Sequence, residues 1–459
     1  MTSALPRPTF RDPAGSLRLE DDRAIRSIHP SAREAVLEFI ASPFYDRVQQ
    51  RGDMVATTVD DSVEGLSLIH PRIPIPTYPW EWTQSQWLAA AELTITLCQE
   101  ALADGWILKD ATPLNILFVG PRPVLVDVLS FERRDPSSPI WLAYGQYTRT
   151  FLLPLIMYRL LSWPFALTLF KRDGYEPQEI YQALSWPQRL SRTAFWPISL
   201  ATWLEKKKGG DTAATVNKSR TSDPQLTAHL LDRTLTGLLA RSRRAVPPSI
   251  ASDWAAYTST LTHYTPEQSE TKHKWVQSVF TDFSPHTVLD IGANTGEYSA
   301  LAAASGATVI ALERDGPAAD RLFVASRDRR LDIQTIHADL ARPTPAAGWE
   351  TGESSGLLPR LEAQSDLVMM LAVIHHLILM EQIPIPAIMA LAHRLTRRHL
   401  IVEWVPVSDP MFQSLMRGRE DLYGALAETN LLATCESRFR VIRRETLGNG
   451  RILFLFEKL

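Results

Sequence analysis

Cysteine is nearly absent: Cys98 and Cys435 are the only two in 459 residues. Two thiols exclude a disulfide scaffold and a cysteine-based zinc site. An excess of either charge is missing as well. The 48 basic side chains face 51 acidic ones, a net of −3, so the whole chain has no electrostatic pull toward nucleic acid or an anionic membrane. The N-terminus, MTSALPRPTFRDPAGS, lacks an apolar core of signal-peptide length. Internal repeats are lacking too. One apolar run, FLLPLIMYRLLSWPFALTLF over 151–170, nears the ~20 residues that cross a bilayer. Arg159 sits near its middle and Pro154 and Pro164 interrupt it, so a buried helix or helix pair is expected rather than an integral span. A soluble cytoplasmic protein with no nucleic-acid partner is the expectation.

What is present is ordinary globular composition, 45% apolar and 22% charged, in a chain long enough for about three domains, or two large ones. Residues 1–30 read as an N-terminal arm. A helix is expected over 31–50, and short strands over MVATTV, LSLIH and RIPI between Met54 and Ile75. A helix follows in SQWLAAAELTITLCQEALAD, stopped by Gly105. NILFVG and PVLVDVL read as two short strands, and 141–200 as apolar helix. The polar stretch at 205–224, EKKKGGDTAATVNKSRTSDP, reads as an exposed loop, after which helix resumes at 225–244.

From Thr287 the pattern changes. VLDIG, VIALE, IQTIHAD, DLVMMLAVI, HLIVEWV and the closing RILFLFEK are apolar strand candidates separated by helical stretches. Such alternation implies a parallel sheet covered on both faces. The first strand ends at Asp290, and a loop with Gly292 and Gly296 leads into a helix. Glycine lets backbone pass close to a ligand, and a helix start offers free N–H groups and a positive dipole end. Glu313 ends the next strand, 23 positions after Asp290, where a carboxylate suits ribose hydroxyls. The third strand ends in His337-Ala338-Asp339-Leu340, where Asp339 can accept from an adenine amine.

This series resembles the class I S-adenosylmethionine-dependent methyltransferases, across roughly 270–459. The resemblance implies that S-adenosyl-L-methionine is the cofactor and that Gly292, Asn294 and Gly296 lie against its methionine part. It places Asp290 toward the amino group, Glu313 on the ribose, Asp339 and Leu340 around adenine, and the turn from Ala372 to His375 near the sulfonium. A nicotinamide-binding domain is the structural rival, but its G-x-G-x-x-G spacing is not matched by Asp290-x-Gly292-x-x-x-Gly296. His375, His376 and Glu403 are the candidate catalytic bases toward an acceptor hydroxyl or amine. The plainer alternatives are a packing or capping role for the histidines and a loop role for Glu403 and Asp409. Metal ligation is not expected, since no second cluster of ligands accompanies the histidines. Tyr264 and Lys272, in a helical lead-in over Trp254 to Val279 that includes Tyr257, are candidates for a lid, against simple packing.

A second constellation lies earlier. Asp110, Pro113 and Asn115 fall at D-x-x-P-x-N spacing, and Asp127 follows 12 positions after Asn115. This resembles the catalytic and metal-binding loops of protein-kinase-like and aminoglycoside-phosphotransferase-like folds. Leu108 stands at the usual histidine position, Val-Leu-Ser follows Asp127, and no glycine-rich loop or strand lysine is found upstream. A degenerate or binding role is therefore favoured over phosphoryl transfer. The two halves in this order are similar to the NoeA-like family of bacterial nodulation proteins, taken to be methyltransferases.

The expected fold class is α/β: a C-terminal Rossmann-like, seven-stranded methyltransferase domain over 246–459, preceded by a mostly helical α+β kinase-like domain over 31–245. The expected reaction moves a methyl group to an O or N atom of a small-molecule acceptor, with the N-terminal domain aiding acceptor binding or regulation. A magnesium-dependent phosphotransferase and a non-enzymatic scaffold are the alternatives. Sequence does not name the acceptor or the oligomeric state.

Overall fold

The computed structural model describes residues 12–62, 65–207, 223–247 and 264–459. The chain divides into two compact units, Met1–Ser249 with Ala347–Ser354, and Ile250–Ala346 with Ser355–Leu459.

The first unit contains a four-stranded antiparallel sheet of β1 (Gly15–Leu19), β2 (Arg23–Ile28), β3 (Thr58–Ser62) and β4 (Gly65–Pro71), in the order β1-β2-β4-β3. Its first hairpin lies where an N-terminal arm is expected. Arg26 takes an inward position beside Ile28, which breaks the period-two apolar signal by which a strand is read. RIPI forms no strand, because Pro74 and Pro76 cannot donate to a ladder. The single helix expected over 31–50 is two, α1 (Arg33–Ile40) and α2 (Pro43–Arg51). Ser42 accepts from the Tyr45 N–H at 3.2 Å and Pro43 opens the second helix, the residue pair that favours a new start.

Helix α3 (Gln84–Ala103) is capped reciprocally by Thr83 and Gln86, at 3.3 and 3.0 Å. It ends before Gly105, whose φ of +77° is the left-handed geometry of a helix stop. Two short ladders follow, β5 (Trp106–Leu108) with β8 (Phe131–Arg133), and β6 (Ile116–Val119) with β7 (Arg122–Leu125). The apolar run at 151–170 breaks after α4 (Leu153–Leu161), where Ser162 turns left-handed ahead of Pro164. No helix among the described residues is long and apolar enough to cross a membrane. The long helix α5 (Pro224–Ala245) closes the unit; most of the loop expected at 205–224, and Trp254 and Tyr257, lie outside the described residues.

The second unit begins with α6 (Pro266–Phe283), whose N-terminus is capped by Thr265 and Gln268. Seven strands then form one sheet: β9 (Thr287–Ile291), β10 (Thr308–Glu313), β11 (Ile333–His337), β12 (Ser365–Met370), β13 (Thr396–Trp404), β14 (Phe439–Thr446) and β15 (Ile452–Lys458). The order is β11-β10-β9-β12-β13-β15-β14. The first five are mutually parallel, and β15 runs antiparallel to both neighbours. β14 has no counterpart among the strand runs read from sequence. It is an edge strand with Arg440, Arg443 and Arg444 along it, charge that protects an edge and hides its period.

Helices α7 (Glu297–Ala304), α8 (Gly316–Arg329), α9 (Ile374–Leu379) and α10 (Ile385–Leu395) connect the parallel strands. The central strands are buried nearly throughout, with Val288, Val309, Leu367 and Ile401 in one core. The chain reverses its direction of travel across the sheet between β9 and β12. At such a switch point the carboxyl strand ends and their loops leave a crevice.

Candidate active site

That crevice is a cavity of about 350 Å³, within the ~300–1,000 Å³ that ligand pockets occupy. Its wall includes Asp290, Gly292, Asn294, Glu313, Asp339, Leu340 and Ala372. Seven of the eight residues expected to hold the cofactor therefore meet there, although they come from four separate strand ends. Gly296 is the eighth and is not in the wall. Its φ is +87°, and a Cβ there would lie 2.8 Å from Leu322 Cδ1, so it serves the turn into α7 and the contact with α8. Gly292 has φ +72°, and a Cβ would meet Val373 Cγ2 at 2.6 Å. The bare glycine lets the β9 loop close on the β12 loop, where Ala372 is also left-handed at φ +53°.

Glu313 is the best-fixed acid of the site. Its Oε2 accepts from the Asn294 N–H at 2.7 Å and its Oε1 from the Asp315 N–H at 2.7 Å. Burial pushes its carboxyl above the usual range, against those backbone donations. Each oxygen keeps a lone pair for a ligand hydroxyl. Asn294 is left-handed at φ +51°, and its buried Oδ1 has no hydrogen-bond partner, an acceptor left for a bound donor. Asp290 accepts from the Ser299 hydroxyl at 2.6 Å. Burial raises its carboxyl to about 6, with Ser299 opposing and Glu313 adding. Asp339 is turned to its own loop: Oδ1 accepts from the Ala341 N–H at 2.9 Å and Oδ2 from Arg342 Nη1 at 3.1 Å. Arg314 and Arg342 both reach Glu381, at 3.1 and 2.6 Å, which ties the β10 and β11 loops to the end of α9.

The three candidate bases separate. His376 is in the cavity wall; His375 and Glu403 are not. Burial, with Arg314 and Arg451, lowers His376 to about 4, so its ring is neutral at pH 7. His375 is buried, with its Nδ1 unpartnered, and is held well below the ordinary histidine value by burial and by His376. Glu403 has no exposed surface. Lys272 Nζ donates to its Oε2 at 2.7 Å, Arg451 Nη1 to its Oε1 at 3.3 Å, and the Tyr264 hydroxyl donates as well. Despite burial, Lys272 and Arg451 keep its carboxyl below the usual range. A buried carboxylate holding two cations is a structural anion, and the expected general-base role does not fit it.

Tyr264 and Lys272 do border the cavity. The Lys272 ammonium lies 5.0 Å from the Tyr264 ring centre and 4.9 Å from that of Tyr298, attractive cation–π distances. Arg451, which sequence reasoning missed, completes the group. It donates to Asp409 at 2.8 Å and to the Tyr264 hydroxyl at 2.7 Å. The one available signal was a charged residue heading the apolar closing strand.

In the first unit Asn115 and Asp127 of the earlier constellation are joined through Ser130. Asn115 Nδ2 donates to Ser130 Oγ at 2.9 Å, and that hydroxyl donates to Asp127 Oδ2 at 2.5 Å. Arg26 pairs with Asp127 Oδ1 at 3.1 Å and lies 3.6 Å from Asp12. Asp110 is raised by burial and by Asp127.

No protein-family model matches the chain. The nodulation protein NoeA of Rhizobium meliloti (strain 1021) is 28% identical, over 100% of this chain and 98% of that protein. Among solved structures, N-methyltransferase NodS from Bradyrhizobium japonicum WM9 is 14% identical, covering 42% of this chain and 97% of NodS, with a TM-score of 0.31. Magnesium protoporphyrin IX methyltransferase from Synechocystis PCC 6803, solved with bound SAH, is 15% identical over 42% of this chain and 83% of its own, with a TM-score of 0.30.

Proposed function

We propose that the chain is an S-adenosylmethionine-dependent methyltransferase acting on an O or N atom of a small-molecule acceptor, and that the cavity of the second unit is its donor site. The observation that carries this reading is the Glu313 carboxylate, fixed at the end of β10 by the N–H groups of Asn294 and Asp315. It faces a cavity closed by the β9, β11 and β12 loops. Support comes from the strand order, in which antiparallel β15 separates β13 from β14. A dinucleotide-binding sheet has no such insertion, whereas the class I methyltransferase sheet does.

When bound, the donor supplies a methyl group already activated on a sulfonium. The protein's own part is then to hold, orient and dehydrate. Glu313 takes the two ribose hydroxyls, Asp290 and Asn294 serve the methionine end, and Leu340 with Ala338 walls the base. Lys272 and Tyr264 cover the methionine end from α6 and the segment before it. His376, neutral and in the wall, accepts a hydrogen bond from an acceptor O–H or N–H and fixes its lone pair toward the methyl group. With a basicity far below neutrality, its contribution is alignment, and the proton of the methylated oxonium or ammonium passes to water once the thioether product has formed. His375 and Glu403 act through these neighbours. The first unit, with Asp127 held by Arg26 and Ser130, is a binding or regulatory partner of the transfer.

Calorimetric titration with S-adenosylhomocysteine tests the reading: one site per chain is expected, and absence of binding overturns it. Incubating cell extract with the enzyme and isotopically methyl-labelled donor then identifies the acceptor as the species that gains label.

A further inference from the structure

The wall of the cavity carries six carboxylates against two cations, Lys272 and Arg314. Most of these charges are committed. Arg314 holds Glu381, and Arg342 holds both Glu381 and Asp339. Lys272 is bound to Glu403, which is not in the wall. Asp315 caps its own helix through the Ala318 N–H at 2.9 Å, while Asp290 and Glu313 serve the donor in the reading above. Glu297 is left over. It opens α7 with its side chain 44% exposed, and His273 Nδ1 stands 3.7 Å from its Oε1, too far for a hydrogen bond.

Glu297 also lies at the end of the cavity that matters for transfer. The phenol of the adjacent Tyr298 is pushed up by burial first, and then by Glu297, Glu403 and Asp290. Glu297 and Asp290 therefore bear on the same hydroxyl, at the end given to the methionine part and its methyl group.

The groups around the methyl group sort the possible acceptors. An aliphatic alcohol needs a base to take its proton during attack. Among the described residues Glu403 is held by Lys272 and Arg451, the Tyr264 hydroxyl donates to it, and Asp290 is engaged by Ser299. His376 lies under the charges of Arg314 and Arg451 and is buried as well. A carboxylate or phosphate acceptor needs no base, but it would approach a wall with an uncompensated carboxylate, and like charges repel. An amine meets neither obstacle. It carries its own lone pair, and its protonated form is drawn to Glu297.

We propose that the methyl acceptor is an amine and that Glu297 is the residue that draws it to the cavity. The proposal rests on the methyltransferase reading and narrows it from oxygen or nitrogen to nitrogen. The ammonium first gives a proton to water, which reaches the exposed Glu297 side. The nitrogen lone pair then forms the N–C bond as the C–S bond breaks, its electron pair staying on sulfur. The positive charge moves from sulfur to nitrogen, toward the Glu297 carboxylate, and the methylated ammonium loses its remaining extra proton to water.

The test uses the full chain, isotopically methyl-labelled S-adenosylmethionine and extract of the cells that make the protein. One portion of extract has its amines capped beforehand with the N-hydroxysuccinimide ester of acetic acid. The untreated portion is expected to yield a labelled product whose methyl carbon resonates in the N-methyl region of the NMR spectrum, and the capped portion to yield none. Glu297→Gln is expected to raise the apparent KM for the acceptor at least about tenfold, with kcat little changed and S-adenosylhomocysteine affinity unchanged. Glu297→Asp is expected to recover part of that loss. Label on oxygen or carbon, labelling that survives capping, or no labelled species although S-adenosylhomocysteine binds overturns the amine. A Glu297→Gln variant that loses S-adenosylhomocysteine affinity makes Glu297 a donor residue and overturns its role. A native chain that does not bind S-adenosylhomocysteine is the distinct failure of the methyltransferase reading, and takes the proposal with it.

Discussion

Lys272 donates to Glu403 across 2.7 Å, with 8% and 0% of the two side chains exposed. With Arg451 and Asp409 these residues form two cations and two anions, nearly dry, that tie α6 to β13, the closing strand and the start of the helix Pro410–Met416. Their value lies in charge balance, because each charge alone would be costly in that environment. Removing one anion, Glu403→Ala, strands Lys272 and one donor of Arg451, and is expected to destabilise the second unit by about 3–5 kcal/mol. The double variant Lys272→Met, Glu403→Gln removes a matched pair and is expected to recover more than half of that loss. Urea unfolding measures both; a Glu403→Ala variant within ~1 kcal/mol of the native protein would show that the group is not an energetic unit.

Glu313 tests the donor site more directly. A carboxylate that accepts from two backbone N–H groups while facing ligand hydroxyls has no amide substitute, because the NH₂ of Gln must point at one of those donors. Glu313→Gln is therefore expected to weaken S-adenosylhomocysteine binding nearly as much as Glu313→Ala. Loss of two charge-assisted hydrogen bonds, each worth about 1.5–3 kcal/mol, corresponds to roughly a hundredfold or more in Kd. Calorimetric titration of both variants checks this, and a Gln variant binding like the native chain would remove Glu313 from the ribose.

How much of this was legible depended on whether a residue's role leaves a local pattern. Asp290, Gly292 and Glu313 announce themselves because each ends or follows an apolar strand, and parallel strands place their carboxyl ends together by topology alone. Glu403 sits in the same pattern and was misread: its partners Lys272 and Arg451 lie 131 and 48 positions away, and no sequence window shows that a carboxylate has two buried cations. Gly296 reads as a ligand glycine but answers to Leu322. The hairpin at 15–28 and strand β14 were hidden by arginines at strand positions, Arg26 inward and Arg440, Arg443 and Arg444 on an edge.

Asp290 links the site to pH. Its folded carboxyl, raised to about 6, is most stable protonated, so its contribution to stability is full below the unfolded value near ~4 and is lost as pH climbs through about 6. At neutrality the buried carboxylate is a standing penalty of up to about 3 kcal/mol. Asp290→Asn keeps an acceptor for Ser299 and sheds the charge. It is expected to melt above the native protein at pH 7, with the difference shrinking toward pH ~4, and to bind the methyl donor more weakly at pH 7. Melting curves of both proteins between these limits decide it: a difference that does not change with pH would mean that the carboxylate is not the source.

The β9 and β12 loops meet where Gly292 lies against Val373. Gly292→Ala meets two separate obstacles there: a left-handed φ of +72° and a Cβ 2.6 Å from Val373 Cγ2. The first costs roughly 1–2 kcal/mol for an L-residue and the second about 1–3 kcal/mol of overpacking. Val373→Ala removes the atom in the way and leaves the dihedral untouched. The pair Gly292→Ala, Val373→Ala is therefore expected to be more stable than Gly292→Ala alone, and still less stable than Val373→Ala by the dihedral cost. The loop also lines the cavity proposed as the donor site, so donor affinity should follow the same order. Unfolding free energies of the three variants separate the two costs. If the pair were no better than Gly292→Ala, backbone conformation alone would explain this glycine, and the contact with Val373 would have no part in closing the site.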